Sequence, residues 1–183
     1  MSVALVFETH SLTTDNEAGI ATGWLPGQLS KAGRKLAREL GERRRDDNLA
    51  AVFVSDLARA AETATIAFAG SDINVNYDSR LRECDYGELN GKPVAEVDRV
   101  RRDHIDVPFP GGQSYREVVA EMSDFLTDVA RQFDGRRVCV IGHSATRWAL
   151  DALLLGKRLE DALGEPFAWQ EGWEYTVEAP FPG

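Results

Sequence analysis

Three side chains of chemical interest stand at the ends of apolar runs: His10, Arg59 and His143. The run 3–7 breaks off at Glu8-Thr9-His10, and the polar loop after it is too rich in Thr, Asp and Asn to continue as strand or helix. The run 50–54 stops at Ser55 and delivers Arg59 to the start of the next helical pattern. The run 138–141 stops at Gly142-His143-Ser144. In open parallel sheets, ligands bind beyond the carboxyl ends of the strands. Two histidines and an arginine are thereby aimed at one crevice, together with free helix N-terminal amides that attract anions. Singly, each has a structural reading: a hydrogen-bonded strand-end histidine, a surface helix arginine. Three at equivalent positions point to an anion-binding crevice.

The elements that must position them follow from hydrophobic periodicity. The runs 3–7, 50–54 and 138–141 are short and β-branched without polar alternation, as strands buried on both faces are. The run 73–77 is weaker and belongs nearer an edge. Leu36 and Leu40 mark a helix from a Ser30 cap to about Arg45; Leu57, Ala60, Ala61, Ala64 and Phe68 mark a second. Val118, Met122, Phe125, Leu126, Val129 and Phe133 form one face of a third, opened by the capping box Ser114-Tyr115-Arg116-Glu117. A fourth runs from about Ala145 to Leu155 and stops at Gly156. Trp173, Tyr175 and Val177 alternate as a final strand. This β-α alternation predicts an α/β fold, a three-layer α/β/α sandwich around a mainly parallel central sheet.

Composition bounds the function classes. A chain of 183 residues is one domain by length, and 43% hydrophobic with 28% charged residues is ordinary for a soluble globular protein. A net charge of −9 argues against nonspecific binding of nucleic acid or anionic membrane, but leaves room for a locally basic pocket. No apolar run approaches membrane-spanning length, and the start MSVALVFE lacks the basic flank of a signal peptide, so a cytoplasmic protein is expected. Cys84 and Cys139 have no framework or metal spacing and read as reduced packing residues.

Six motifs in order then resemble the histidine phosphatase superfamily, the phosphoglycerate-mutase-like proteins, across nearly the whole chain, residues 1–183. They are Thr9-His10-Ser11 with Thr13 and Asn16 following, Leu29-Ser30-Lys31-Ala32-Gly33, SDLARAAETA, LRECDYGELNG, PGGQS and the second histidine, His143. The resemblance implies that His10 attacks phosphorus and becomes phosphohistidine. It implies that Arg59 and His143 hold the equatorial oxygens and that Glu83 passes the protons, with Asp85 or Glu88 as alternatives. Thr13 and Asn16 would line the same pocket. The function implied is hydrolysis of a small phosphorylated metabolite, without metal or other cofactor, by a monomer or homodimer.

The chain departs from the family's pattern at several points. Thr9 replaces the arginine that precedes the nucleophile, Ser11 and Ser144 replace glycines that follow the two histidines, and Gln113 replaces an acid. Arg147, one turn into the helix after His143, is the nearest candidate to supply the missing charge, and Ser11 and Ser144 could add hydroxyl donors. His104 lies in the insertion RVRRDHIDVPFP, which with the rest of residues 90–113 is expected to set specificity.

Three rival readings are weighed beside this one. GHSAT suggests a nucleophile elbow at Ser144, but no histidine lies downstream of that serine to complete a triad. A mutase-type phosphotransferase is expected to carry more chain over the site. A phosphate-binding module that has lost catalysis with its first arginine would keep the crevice without the turnover.

Overall fold

The computed structural model describes residues 1–182. In chain order the elements are β1 (Ser2–Thr9), α1 (Thr14–Ala18), β2 (Ile20–Ala21), α2 (Lys31–Arg44), β3 (Ala51–Val54), α3 (Ala58–Ala67) and β4 (Val75–Tyr77). Then follow β5 (Lys92–Pro93), α4 (Val94–Val100), α5 (Tyr115–Gln132), β6 (Arg137–Gly142), α6 (Ser144–Leu155), α7 (Leu159–Ala162) and β7 (Trp173–Glu178). Five strands form one sheet in the order β4-β3-β6-β1-β7. Four of them are parallel, and β7 runs antiparallel on the outer side of β1. The small pair β2-β5 lies apart, antiparallel.

Alternation along β1 divides the core in two. Val3, Leu5 and Phe7 face one side, where they join Met122, Phe125, Leu126 and Val129 of α5 and Trp148 and Leu150 of α6. Val6 faces the other side, with Val52, Val54, Cys139 and Ile141 of the sheet, Leu40 of α2 and Ala60 and Ala64 of α3. Helices therefore cover both faces, which is why the central strands lack the polar alternation of a half-solvated sheet. Both cysteines are free and buried, and no described helix is long and apolar enough to cross a membrane.

Local signals set the helix ends. Ser30 accepts from the Gly33 amide at 3.1 Å and starts α2. Ser114 and Glu117 close a reciprocal capping box at α5, and Gly156 ends α6 in the left-handed conformation. Leu36 departs from its expected core role: it is exposed, and only Leu40 of that pair is buried. The expected strand at 73–77 is shorter, Val75–Tyr77, and lies at the sheet edge.

At the end of β1 sits Glu8, only 1% exposed, which accepts from Arg43 (Nε 3.1 Å, Nη2 2.9 Å) and Arg44 (Nε 2.8 Å). This network pins the last turns of α2 to the strand that ends in His10. At the other end of α2, a Cβ added at Gly33 would overlap the backbone carbonyl of Leu12, two residues past His10. Gly33→Ala should therefore push helix and loop apart and lower stability by about 1–3 kcal/mol, as overpacking does. Urea unfolding of the variant would measure it, and a midpoint equal to the parent's would show that the loop yields freely.

Candidate active site

The register of β1 against β6 places Thr9 opposite Gly142, and the His10 amide donates to the Gly142 carbonyl at 2.9 Å. Both strands thus end level, and their next residues, His10 and His143, lie with ring centroids 5.0 Å apart. Arg59, in the first turn of α3, reaches the same point: its Nε lies 3.3 Å from His10 Nε2. The same helix holds the loop beyond His10, because the Ser11 amide donates to Thr63 Oγ1 at 3.0 Å.

A hydrogen bond defines the protonation of the His10 ring. His10 Nδ1 lies 2.8 Å from the Ser11 carbonyl, which can only accept, so Nδ1 carries the proton and Nε2 the lone pair. The arginine Nε–H facing Nε2 agrees with that assignment. Burial, seconded by Arg59, lowers the His10 pKa to about 3, so the ring is neutral across the physiological range. His143 Nε2 lies 2.8 Å from Ser55 Oγ, which also accepts from the Leu57 amide. His143 Nδ1 is buried and without a partner. Burial, Arg59 and His10 hold this pKa well below the ordinary value.

Arg59 is 3% exposed, and its hydrogen bonds go to His10 Nε2 and the Gly23 carbonyl, neither of them an acid. Its Nη1 is buried without a partner. Burial depresses its basicity, opposed by Glu83, Tyr86 and Asp15, but a guanidinium remains a cation. Buried cations and orphaned donors are costly unless a ligand completes them.

Glu83 arrives on the loop after β4. The Trp24 indole donates to its carbonyl at 2.6 Å, and its Oε1 accepts from the Cys84 amide at 2.8 Å and the Ala145 amide at 3.3 Å. Burial raises its pKa above the ordinary carboxylate value, against the opposing pull of the Cys84 amide, Arg59 and Arg101. Glu83 rather than its alternatives lines the crevice. Asp85 Oδ1 is occupied in its own turn by the Gly87 amide and the Asn90 side chain, and Glu88 faces solvent. Gln113 braces this loop: its Oε1 accepts from the Asp85 amide at 3.2 Å, and its own amide donates to the Asp85 carbonyl at 2.8 Å.

The crevice is a cavity of about 690 Å³ lined by His10, Asn16, Arg59, Glu83 and Ser144, and by Arg101 and Arg102 beyond them. A second cavity of about 420 Å³ adjoins it at His10, with Thr9, Ser11 and His143 in its lining. Among the described residues no cluster of three or more His, Cys, Asp or Glu side chains is placed to hold a metal ion.

Two expected ligands lie elsewhere. Arg147 does not replace the missing arginine. Its Nη1 pairs with Asp151 at 3.1 Å, its guanidinium lies 5.3 Å from the Trp173 ring centroid, and it lines neither cavity. The helix turns that side chain toward β7 rather than toward the strand end. Thr13 is fully buried as the cap of α1, where its Oγ1 accepts from the Asn16 amide and its own amide donates to Asn16 Oδ1. It orients Asn16 and does not itself reach the crevice. His104 stacks on Phe109 at 4.0 Å and binds the Val107 carbonyl, away from both cavities.

Sequence reasoning missed Ser55 as the partner of His143, and it missed Arg101 and Arg102. The basic run RVRRDH in so acidic a chain was the available signal for the arginines. Arg101 lies 4.8 Å from the Trp148 ring and pairs with Asp98 at 2.6 Å.

The arrangement offers a neutral imidazole lone pair, a buried cation beside it, two buried nitrogens without partners and a carboxyl of raised pKa. A family model described as the histidine phosphatase superfamily (branch 1) matches residues 5–168. Phosphoserine phosphatase 1 of Hydrogenobacter thermophilus is 28% identical, over 84% of this chain and 77% of that one. A 2,3-bisphosphoglycerate-dependent phosphoglycerate mutase of Methylobacterium sp. is 32% identical, over 98% and 96%. The mycobacterial glucosyl-3-phosphoglycerate phosphatase solved with VO3 superposes with a TM-score of 0.78 at 26% identity, covering 87% of this chain and 85% of that one.

Nitrogen NMR of the imidazoles should show His10 neutral, with the proton on Nδ1, down to about pH 3. The sign for stability follows: the unfolded chain binds protons near pH 6.5 that folded His10 and His143 resist. Stability should thus fall as pH drops from 6.5 toward 3, less steeply in His10→Ala. A His10 ring that titrates near 6.5 in the folded protein would contradict the site as described.

Proposed function

The chain belongs to the histidine phosphatase superfamily and is an enzyme of the histidine phosphatase type; from that premise we propose that it hydrolyses phosphomonoesters through a phosphohistidine on His10. One observation carries the reading: the His10 Nε2 lone pair is fixed by its tautomer beside two buried nitrogens without partners, Arg59 Nη1 and His143 Nδ1. A phosphoryl group bound there would accept from the Arg59 guanidinium, give His143 Nδ1 a partner once that nitrogen holds the ring proton, and present phosphorus to His10 Nε2.

In the first step the Nε2 lone pair forms a bond to phosphorus while the bond to the ester oxygen breaks. Glu83, kept protonated more readily by burial, gives its proton to the leaving oxygen. The positive charge developing on the ring is stabilised through Nδ1–H by the Ser11 carbonyl. In the second step the Glu83 carboxylate takes a proton from water, whose oxygen attacks phosphorus as the P–N bond breaks. Inorganic phosphate leaves and Nε2 recovers its lone pair. Arg59 and His143 hold the equatorial oxygens in both steps, where preorganised donors contribute most. Asn16 and Ser144 border the same point. The chemistry needs no metal, and the donor set around His10 is that of an anion site rather than a cation site.

A small polar metabolite suits the first cavity, where Arg59, Arg101 and Arg102 stand beside the carboxylates Glu83, Asp98 and Glu165. With the charge expected at residue 9 not supplied by Arg147, Arg59 is the one arginine among the described residues that hydrogen-bonds His10. Mutase-type transfer would share the first step and differ in the acceptor, an alcohol in place of water.

Brief reaction with a labelled substrate and alkaline quenching should trap phosphate on His10 in the parent and none in His10→Ala. Undiminished turnover in His10→Ala would exclude the mechanism. Glu83→Gln should slow alkyl phosphates on the order of 10²–10⁴-fold, the usual contribution of a positioned acid or base. It should slow p-nitrophenyl phosphate much less, since that leaving group hardly needs a proton. Equal losses on both would leave Glu83 only a positioning role.

A further inference from the structure

We infer that the substrate of this site carries an apolar group, an aromatic ring or a branched alkyl chain, which binds in the second cavity beside His10. The inference rests on the hydrolase reading above and names the class of alcohol that the ester contains.

The two cavities are continuous. His10, Asn16, Ser144 and Phe167 line both, so a phosphoryl group on His10 sits where they meet. Their chemistry differs. The first holds Arg59, Arg101, Arg102 and Glu83. The second is walled by Leu36 and Leu40 of α2 and by Phe167 and Trp169 of the segment before β7. Among its described lining residues only Arg43 is charged, and that charge is spent: two of its nitrogens bind Glu8, and its guanidinium lies 5.8 Å from the Trp169 ring. His10 and His143 are neutral by burial. No uncommitted cation is left there to receive a second anion.

What the cavity does offer is apolar surface in want of cover. Leu36, Phe167 and Trp169 are 36%, 51% and 53% exposed, and they converge on one opening. Thr9 stands in the lining with a side chain too short to fill the space. The ester oxygen faces Glu83 in the first cavity, and the carbon body beyond it turns at Phe167, which borders both cavities, into the second. A ring there would cover the aliphatic wall on one side and Trp169 on the other.

The test compares 2-phenylethyl phosphate with ethyl phosphate, two esters of similar leaving-group reactivity, by phosphate release. In the parent, kcat/KM should favour the phenylethyl ester by at least about tenfold, the lower end of what an added apolar group gains in a hydrophobic pocket. In Leu36→Asp and in Trp169→Ala, both changed at exposed positions, that ratio should fall toward one. Titration with the hydrolysis-resistant 2-phenylethylphosphonate should also shift tryptophan fluorescence in the parent and not in Trp169→Phe. A parent ratio near one, or a ratio unmoved in both variants, would overturn the inference while phosphohistidine trapping with either ester kept the hydrolase reading. No turnover and no phosphohistidine with either ester would remove the hydrolase reading and this inference with it.

Discussion

The parallel pairing of β1 with β6 is the constraint from which the site follows. Because Thr9 lies opposite Gly142, the two strands finish at one level and hand their next residues, both histidines, to the same spot. A slip of one residue would turn Val3, Leu5 and Phe7 out of one core and Val6 out of the other, so the hydrophobic pattern itself fixes the register. The chemistry is aligned by the same apolar residues that stabilise the sheet. The Glu8–Arg43–Arg44 network adds a second lock, tying α2 to the strand two residues before His10.

That alignment has an energetic cost concentrated at the site. His143 and Arg59 are buried and His10 is half-buried within a few ångströms of them, and four of their polar atoms point at each other or at nothing. Desolvation keeps both rings neutral, which removes the worst repulsion with Arg59 and leaves a lone pair where a nucleophile needs one. The same desolvation raises the Glu83 pKa. One physical cause thus moves a base and an acid in opposite directions, each toward a useful protonation state.

The two cavities differ in chemistry. Arg59, Arg101 and Arg102 line the first beside Glu83, Asp98 and Glu165, and among the described residues that line the second none offers a free charge. The fold produces this contrast by position: the arginines come from α3 and from the segment following α4, whereas α2 contributes leucines to the second cavity.

Strands, long helices and their caps were legible in the sequence because each depends on local periodicity and on hydrogen bonds only a few residues apart. Ser30, Ser114 and Gly156 occupy the capping positions their types suggest. The convergence of His10, Arg59 and His143 was legible as well, since parallel strands discharge their loops at one edge. What only the tertiary structure decided was direction. Arg147 sits at the right distance along the chain, but the phase of α6 turns it to Asp151 and Trp173. Thr13 lies in the right loop, yet it spends its hydroxyl on a helix cap. Leu36 has core spacing and instead borders a cavity at the end of β1, where it is exposed. The two rings are held by partners as different as an adjacent carbonyl and Ser55, 88 residues away. Sequence spacing fixes which residues can meet; the angles at which packed elements cross fix which atoms do.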